Sequence, residues 1–91
     1  MSDFPFEEKQ IAENVFLRYF DHNVLSEELI WHQDREDRVI KVIESNGWKL
    51  QLDNQLPVLL EKDSTYNIPA YVYHRVIKGS GRLLIEVEKN K

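Results

Sequence analysis

From Asn14 onward the chain alternates short apolar runs with polar breakers, at a spacing that suits strands. Val15 to Phe20 is β-branched and aromatic, and Asp21-His22-Asn23 then reads as a turn, with His22 at the surface. Further strands are predicted at 28–33, 38–44, 48–52, 56–60, 65–68, 72–77 and 83–88. Breakers separate them, among them Asp34 to Asp37, Ser45-Asn46-Gly47, Asp53-Asn54, Lys62 to Ser64, Pro69 and Gly79 to Gly81. About eight short strands at this spacing predict an all-β sandwich or barrel over 14–88. Residues 1–13 read as a separate N-terminal segment. Phe4 and Phe6 flank Pro5, which sits where a proline opens a short helical turn through Ala12.

Asn46-Gly47 is a strong hairpin signal, because a type I′ turn needs positive φ at both central residues. A two-residue loop there pairs Glu44 with Lys49, and puts Val42 with Gln51 on one face and Ile43 with Leu50 on the other. A one-residue bulge swaps those faces. Lys78 to Gly81 is the turn that returns the chain for its last strand. The strand 38–44 is apolar on both faces apart from Lys41. Its outer face therefore needs a cover, from the aromatic N-terminal segment or from a second subunit.

Ninety-one residues predict one domain, 1–91, with a modest core that association would help to stabilise. A charged fraction of 31% beside a hydrophobic fraction of 42% is that of a folded globular protein. The net charge of −4, with no Lys/Arg run, argues against a nucleic-acid partner. There is no cysteine, which excludes disulfides, thiol catalysis and thiolate metal sites, and fits a cytoplasmic setting. The acidic start, Met1 to Gln10, is no signal peptide, and no segment approaches the roughly 18 apolar residues of a membrane span.

The candidate chemistry lies in His32, Asp34 and His74. On a strand, residues two apart point the same way, so His32 and Asp34 reach a common point, and His74 joins them from a neighbouring strand. Two imidazoles and a carboxylate suit iron(II), zinc, nickel or manganese equally. The competing reading is plain: three histidines are an ordinary count, and Asp34 to Arg38 resembles a solvated turn of mixed charge. No glycine-rich phosphate loop and no Ser–His–Asp or Cys–His arrangement is present.

The stretch 26–78 resembles the two motifs of the cupin superfamily. The first runs Gly, five residues, His-x-His, three or four residues, Glu, six residues, Gly. Here Ser26, His32, Asp34, Arg38 and Ser45 stand at those positions. The second runs Gly, five residues, Pro-x-Gly, two residues, His, three residues, Asn, and is met by Asp63, Pro69, Tyr71, His74 and Lys78. The spacing is kept, and seventeen residues separate the motifs, as in small bacterial members. The run Trp31 to Arg38, followed by Gly47 to Asp53, looks like small single-domain cupins of unassigned function.

The resemblance implies a small cupin-type β-barrel, or double-stranded β-helix, and a homodimer. It implies a metal site of His32, Asp34 and His74, with Asp34 replacing a histidine and Arg38 standing where a glutamate ligand would. A guanidinium stays protonated and is no ligand. Strand parity turns Arg38 inward with Ile40 and Val42. It then pairs with Asp34, which removes the metal site, or with an anionic ligand held bidentately. Trp48, Gln51, Tyr66 and Tyr73 are the other pocket candidates. Core packing is the competing role for each aromatic, most of all Trp48, and if His74 faces in, Tyr73 and Arg75 face out. Three functions follow as expectations. The first is a binding protein for a small polar or anionic molecule, with or without a divalent metal. The second is a metal-dependent dioxygenase or isomerase. The third is a structural or regulatory dimer with no ligand. The His-x-Asp…His order is also similar to that of iron and 2-oxoglutarate oxygenases, in which an arginine follows the last histidine. Arg82 lies eight residues after His74, but those are much longer chains.

Overall fold

The structure is a computed structural model that describes residues 5–90, so Phe4 and the rest of the extreme termini lie outside it. Eight strands form: β1 (Glu7–Ala12), β2 (Val15–Phe20), β3 (Asp37–Glu44), β4 (Lys49–Leu52), β5 (Val58–Leu59), β6 (Thr65–Ile68), β7 (His74–Ile77) and β8 (Leu83–Asn90). A 3₁₀ turn, Ser26–Glu28, follows β2. Its start is held by the Glu28 carboxylate, which accepts from the Leu25 amide at 3.2 Å. The strands lie in two sheets, β1-β2-β8-β3-β6 and β5-β4-β7, with every pairing antiparallel.

The core lies between the sheets. The alternation of β8 buries Leu83, Ile85 and Val87, that of β3 buries Ile40 and Val42, and the facing sheet supplies Leu50 and the adjacent Trp48. Trp48 is fully buried, stacks at a tilt on Phe20, and donates its indole N–H to the Gly81 carbonyl at 2.8 Å. Burying side chains of this size stabilises by roughly 1.5–3 kcal/mol each.

Three expectations fail, each for a tertiary reason. Residues 7–12 form β1 rather than a helical turn, because β2 offers them an edge to pair with. Asn46-Gly47 reverses the chain, with φ 146° and 82°, but closes no hairpin. β3 pairs with β6 and β8, while β4 pairs with β5 and β7, so the turn carries the chain from one sheet to the other. The Asn46 carbonyl instead accepts the Ser80 amide at 2.8 Å, and Glu44 pairs with Arg82 rather than Lys49. The two loops pack so tightly that a Cβ on Gly79 would lie 2.2 Å from the Asn46 carbonyl oxygen. Residues 28–33 form no strand; they make a single bridge, His32 to His74.

The described part of the N-terminal segment extends the larger sheet sideways and does not cover the outer face of β3. By strand parity that face carries Leu17, Tyr19, Val39 and Leu84, all partly exposed.

Candidate metal centre and ligand cavity

The bridge between His32 and His74 builds the site. The His32 amide donates to the His74 carbonyl at 3.0 Å, and the His74 amide returns to His32 at 2.8 Å. The two rings lie with centroids 4.2 Å apart and are tilted 60° to each other. Each Nδ1 lies against a backbone carbonyl, Ile30 for His32 at 3.0 Å and Val72 for His74 at 2.9 Å. A carbonyl only accepts, so both Nδ1 atoms carry the proton, and both Nε2 lone pairs are free to bind a cation. Ligand atoms of His32, Asp34 and His74 all lie within 4.8 Å of one another.

Asp34 completes the group. Its backbone is fixed from the second motif: the Tyr71 amide donates to the Asp34 carbonyl at 2.7 Å. Tyr71 stands where the resemblance puts a glycine, and its backbone keeps the left-handed conformation, φ 64°. The two carboxylate oxygens have different fates. Oδ1 lies 3.3 Å from Arg38 Nη2. Oδ2 is buried, 3.3 Å from His74 Nε2, and no hydrogen bond reaches it from the described residues. Burial is the main cause that lowers the His74 pKa from the ordinary 6.5. The neighbouring His32 and the Arg38 guanidinium act the same way, against the Val72 carbonyl and Asp34. A neutral His74 with its proton on Nδ1 therefore turns a lone pair toward an unbonded carboxylate oxygen. Two buried acceptors face each other, an arrangement that a cation between them relieves. The donor set, two imidazole nitrogens and one carboxylate oxygen, fits a divalent transition ion.

Arg38 faces inward with Ile40 and Val42, as strand parity predicts. Its Nε and Nη2 donate to Glu36 at 3.1 and 2.9 Å, and Nη2 also reaches Asp34. The pairing with Asp34 uses Oδ1 alone, so it leaves Oδ2 available to a cation. Trp48, Gln51 and Tyr66 stand elsewhere. Trp48 is core, Gln51 accepts from Arg75 at 3.0 Å, and the Tyr66 hydroxyl donates to the Leu59 carbonyl at 3.0 Å. Tyr73 is exposed, and Arg75 lies over the Trp31 ring. Arg82 is at the surface with Glu44 and does not line the cavity.

The cluster opens into a cavity of about 880 Å³ between the sheets. Its walls are largely aliphatic and aromatic, with Phe6, Phe20, Ile40, Leu50, Ile85 and Val87 among them. Arg18, Glu8 and Lys89 also line it, and sequence reasoning missed all three. A signal existed: Arg18 sits between Phe16 and Phe20 at the two-residue strand period, a charge on an apolar face. Its guanidinium lies over the Phe6 ring, bonds Glu8 Oε2 through Nε and Nη2, and has its pKa lowered by burial.

No family profile and no curated protein sequence matches the chain. Solved structures do. A cupin-2 domain protein from Shewanella frigidimarina aligns over 92% of this chain and 80% of its own, with 21% identity and a TM-score of 0.68. A cupin domain from Bordetella pertussis aligns over 100% and 99%, with 17% identity and a TM-score of 0.61. The Fe(II) form of HppE aligns over 84% of this chain but only 41% of its own, with 13% identity and a TM-score of 0.65. At these identities the likeness is one of fold alone, and the two-sheet antiparallel arrangement is the small cupin fold.

Proposed function

We propose that the protein binds one divalent transition metal through His32, Asp34 and His74, and a small anionic molecule in the adjoining cavity. The observation that carries this reading is the buried, unbonded Asp34 Oδ2 set against the His74 Nε2 lone pair. Arg38 orients the carboxylate through Oδ1, and the Ile30 and Val72 carbonyls orient the two rings. A metal held by His32, Asp34 and His74 would supply a Lewis acid able to polarise a substrate oxygen. The enzyme reading, a metal-dependent dioxygenase or isomerase, is the second; it is favoured by the likeness to HppE, whose structure is that of an Fe(II) form. The proposal extends to one domain over the whole chain, a homodimer joined through the outer face of the larger sheet, and a reducing, cytoplasmic setting.

Metal analysis with titration calorimetry tests it, using Zn, Ni and Mn in air and Fe(II) under anaerobic conditions. One equivalent per chain is expected. His32 is exposed, so H32A should abolish binding while changing stability by no more than about 0.5 kcal/mol. Absence of heat with all four ions near neutral pH overturns the metal site.

A further inference from the structure

The cavity lining has an unusual composition. Every side chain on it is apolar, charged or an imidazole; no Ser, Thr, Asn, Gln, Tyr or Trp contributes among the described residues. A ligand rich in hydroxyls, such as a sugar, would find few side-chain partners, and an unpaired polar group in such a space is penalised. The walls instead offer apolar surface to a hydrocarbon body and ionic groups to a charged head.

The sign of the head follows from the charges. Three cations face inward, Arg18, Arg38 and Lys89, with side-chain exposures of 11%, 14% and 28%. Glu8, Glu36 and Asp34 pair with them, so the set is neutral as it stands. Glu7 and Glu28 also line the cavity, but both are exposed and water screens them. A divalent ion at the histidines adds two positive charges that no buried wall group offsets. The guanidiniums also keep free donors. Arg18 and Arg38 each engage Nε and Nη2, and neither Nη1 has a partner among the described residues. A phosphate head would bring more acceptor oxygens than those donors satisfy, whereas a planar carboxylate matches a guanidinium.

We infer that the cavity takes a monocarboxylate with an unsubstituted hydrocarbon body, its carboxylate at Arg38 beside the metal-type cluster and its body against the Phe20–Ile40–Ile85 wall. This rests on the cavity reading proposed above and narrows it from small anions in general to amphiphilic acids.

Calorimetry on the zinc-loaded protein tests it, with butyrate, hexanoate, octanoate, octanamide, succinate and glucose as probes. Affinity should rise from butyrate to octanoate, by up to roughly fourfold per methylene where each is buried. Octanamide should bind at least tenfold more weakly than octanoate, and R38Q should erase that preference. Glucose and succinate should give no heat. Succinate or glucose binding as tightly as octanoate, affinity flat with chain length, or octanamide equal to octanoate would overturn the inference. The same titrations on EDTA-treated protein, with metal content measured, separate the two claims. Octanoate binding without zinc uptake sinks the metal site and keeps the amphiphilic-acid cavity. Zinc uptake with no octanoate binding does the reverse.

Discussion

Replacing Asp34 by asparagine should stabilise the metal-free protein and abolish its response to metal. The carboxylate side chain is only 11% exposed, and Oδ2 has no hydrogen-bond partner among the described residues. An unsatisfied buried polar atom of this kind costs about 1–3 kcal/mol. In D34N an amide nitrogen takes the place of Oδ2, 3.3 Å from the His74 Nε2 lone pair, and donates to it for a further ~1 kcal/mol. Oδ1 still accepts from Arg38, and Arg38 keeps both bonds to Glu36, so the lost charge pairing costs about 1 kcal/mol. The net expectation is a gain of about 1–3 kcal/mol, or on the order of 4–24 °C in Tm for a chain of this size. Adding zinc at about 1,000 times its Kd should raise the wild type by roughly 4.1 kcal/mol and leave D34N in place, so the order of stabilities inverts. Urea melts of EDTA-treated and zinc-loaded samples read both effects. If D34N is instead weaker than wild type by 1 kcal/mol or more without metal, His74 carries a second proton, Asp34 is its counter-ion, and the argument for a cation site collapses.

Three further outcomes are expected. Burial lowers the His74 pKa below the unfolded value near 6.5, so the unfolded chain binds more protons in that window. Metal-free stability should be full above about pH 6.5 and fall as pH drops below it, zinc uptake should fall in the same direction, and H74Q should flatten the stability slope; a slope unchanged in H74Q would contradict this. Tyr71 holds φ 64° and is 63% exposed, so Y71G should relieve about 1–2 kcal/mol of backbone strain. Against that stands about 0.5–1 kcal/mol of unfolded-chain entropy, and a Tm that falls would show that the tyrosine packs on something. With Leu17, Tyr19, Val39 and Leu84 on a sheet face that β1 does not cover, sedimentation at micromolar concentration should give about twice the 10.9 kDa chain mass, and a monomer across that range refutes the homodimer.

Where a decision is local, the sequence carried it. Two-residue periodicity turned Arg38, Ile40 and Val42 to one side and left Lys41 exposed, because the pleat alternates side chains whatever the strand pairs with. The motif spacing placed His32, Asp34, Arg38 and His74 together, since it fixes how far along the chain each returns to the barrel mouth. Composition excluded thiolate ligands outright. Local signals failed where they had competitors. Pro5 can open a helical turn, but residues 7–12 gain a full strand's hydrogen bonds along β2. Asn46-Gly47 specifies a reversal and nothing about where the following strand pairs. Tertiary packing sent β3 and β4 to different sheets, because Val42 and Leu50 then both reach the core, whereas a two-residue hairpin would put them on opposite faces. The same closure decided what the cavity holds: it left Asp34 Oδ2 buried without a bond and drew Arg18, Glu8 and Lys89 in from strands distant in sequence. Sequence spacing fixes which way a side chain points from its own strand, whereas its neighbours and its access to water depend on which strands come to lie opposite.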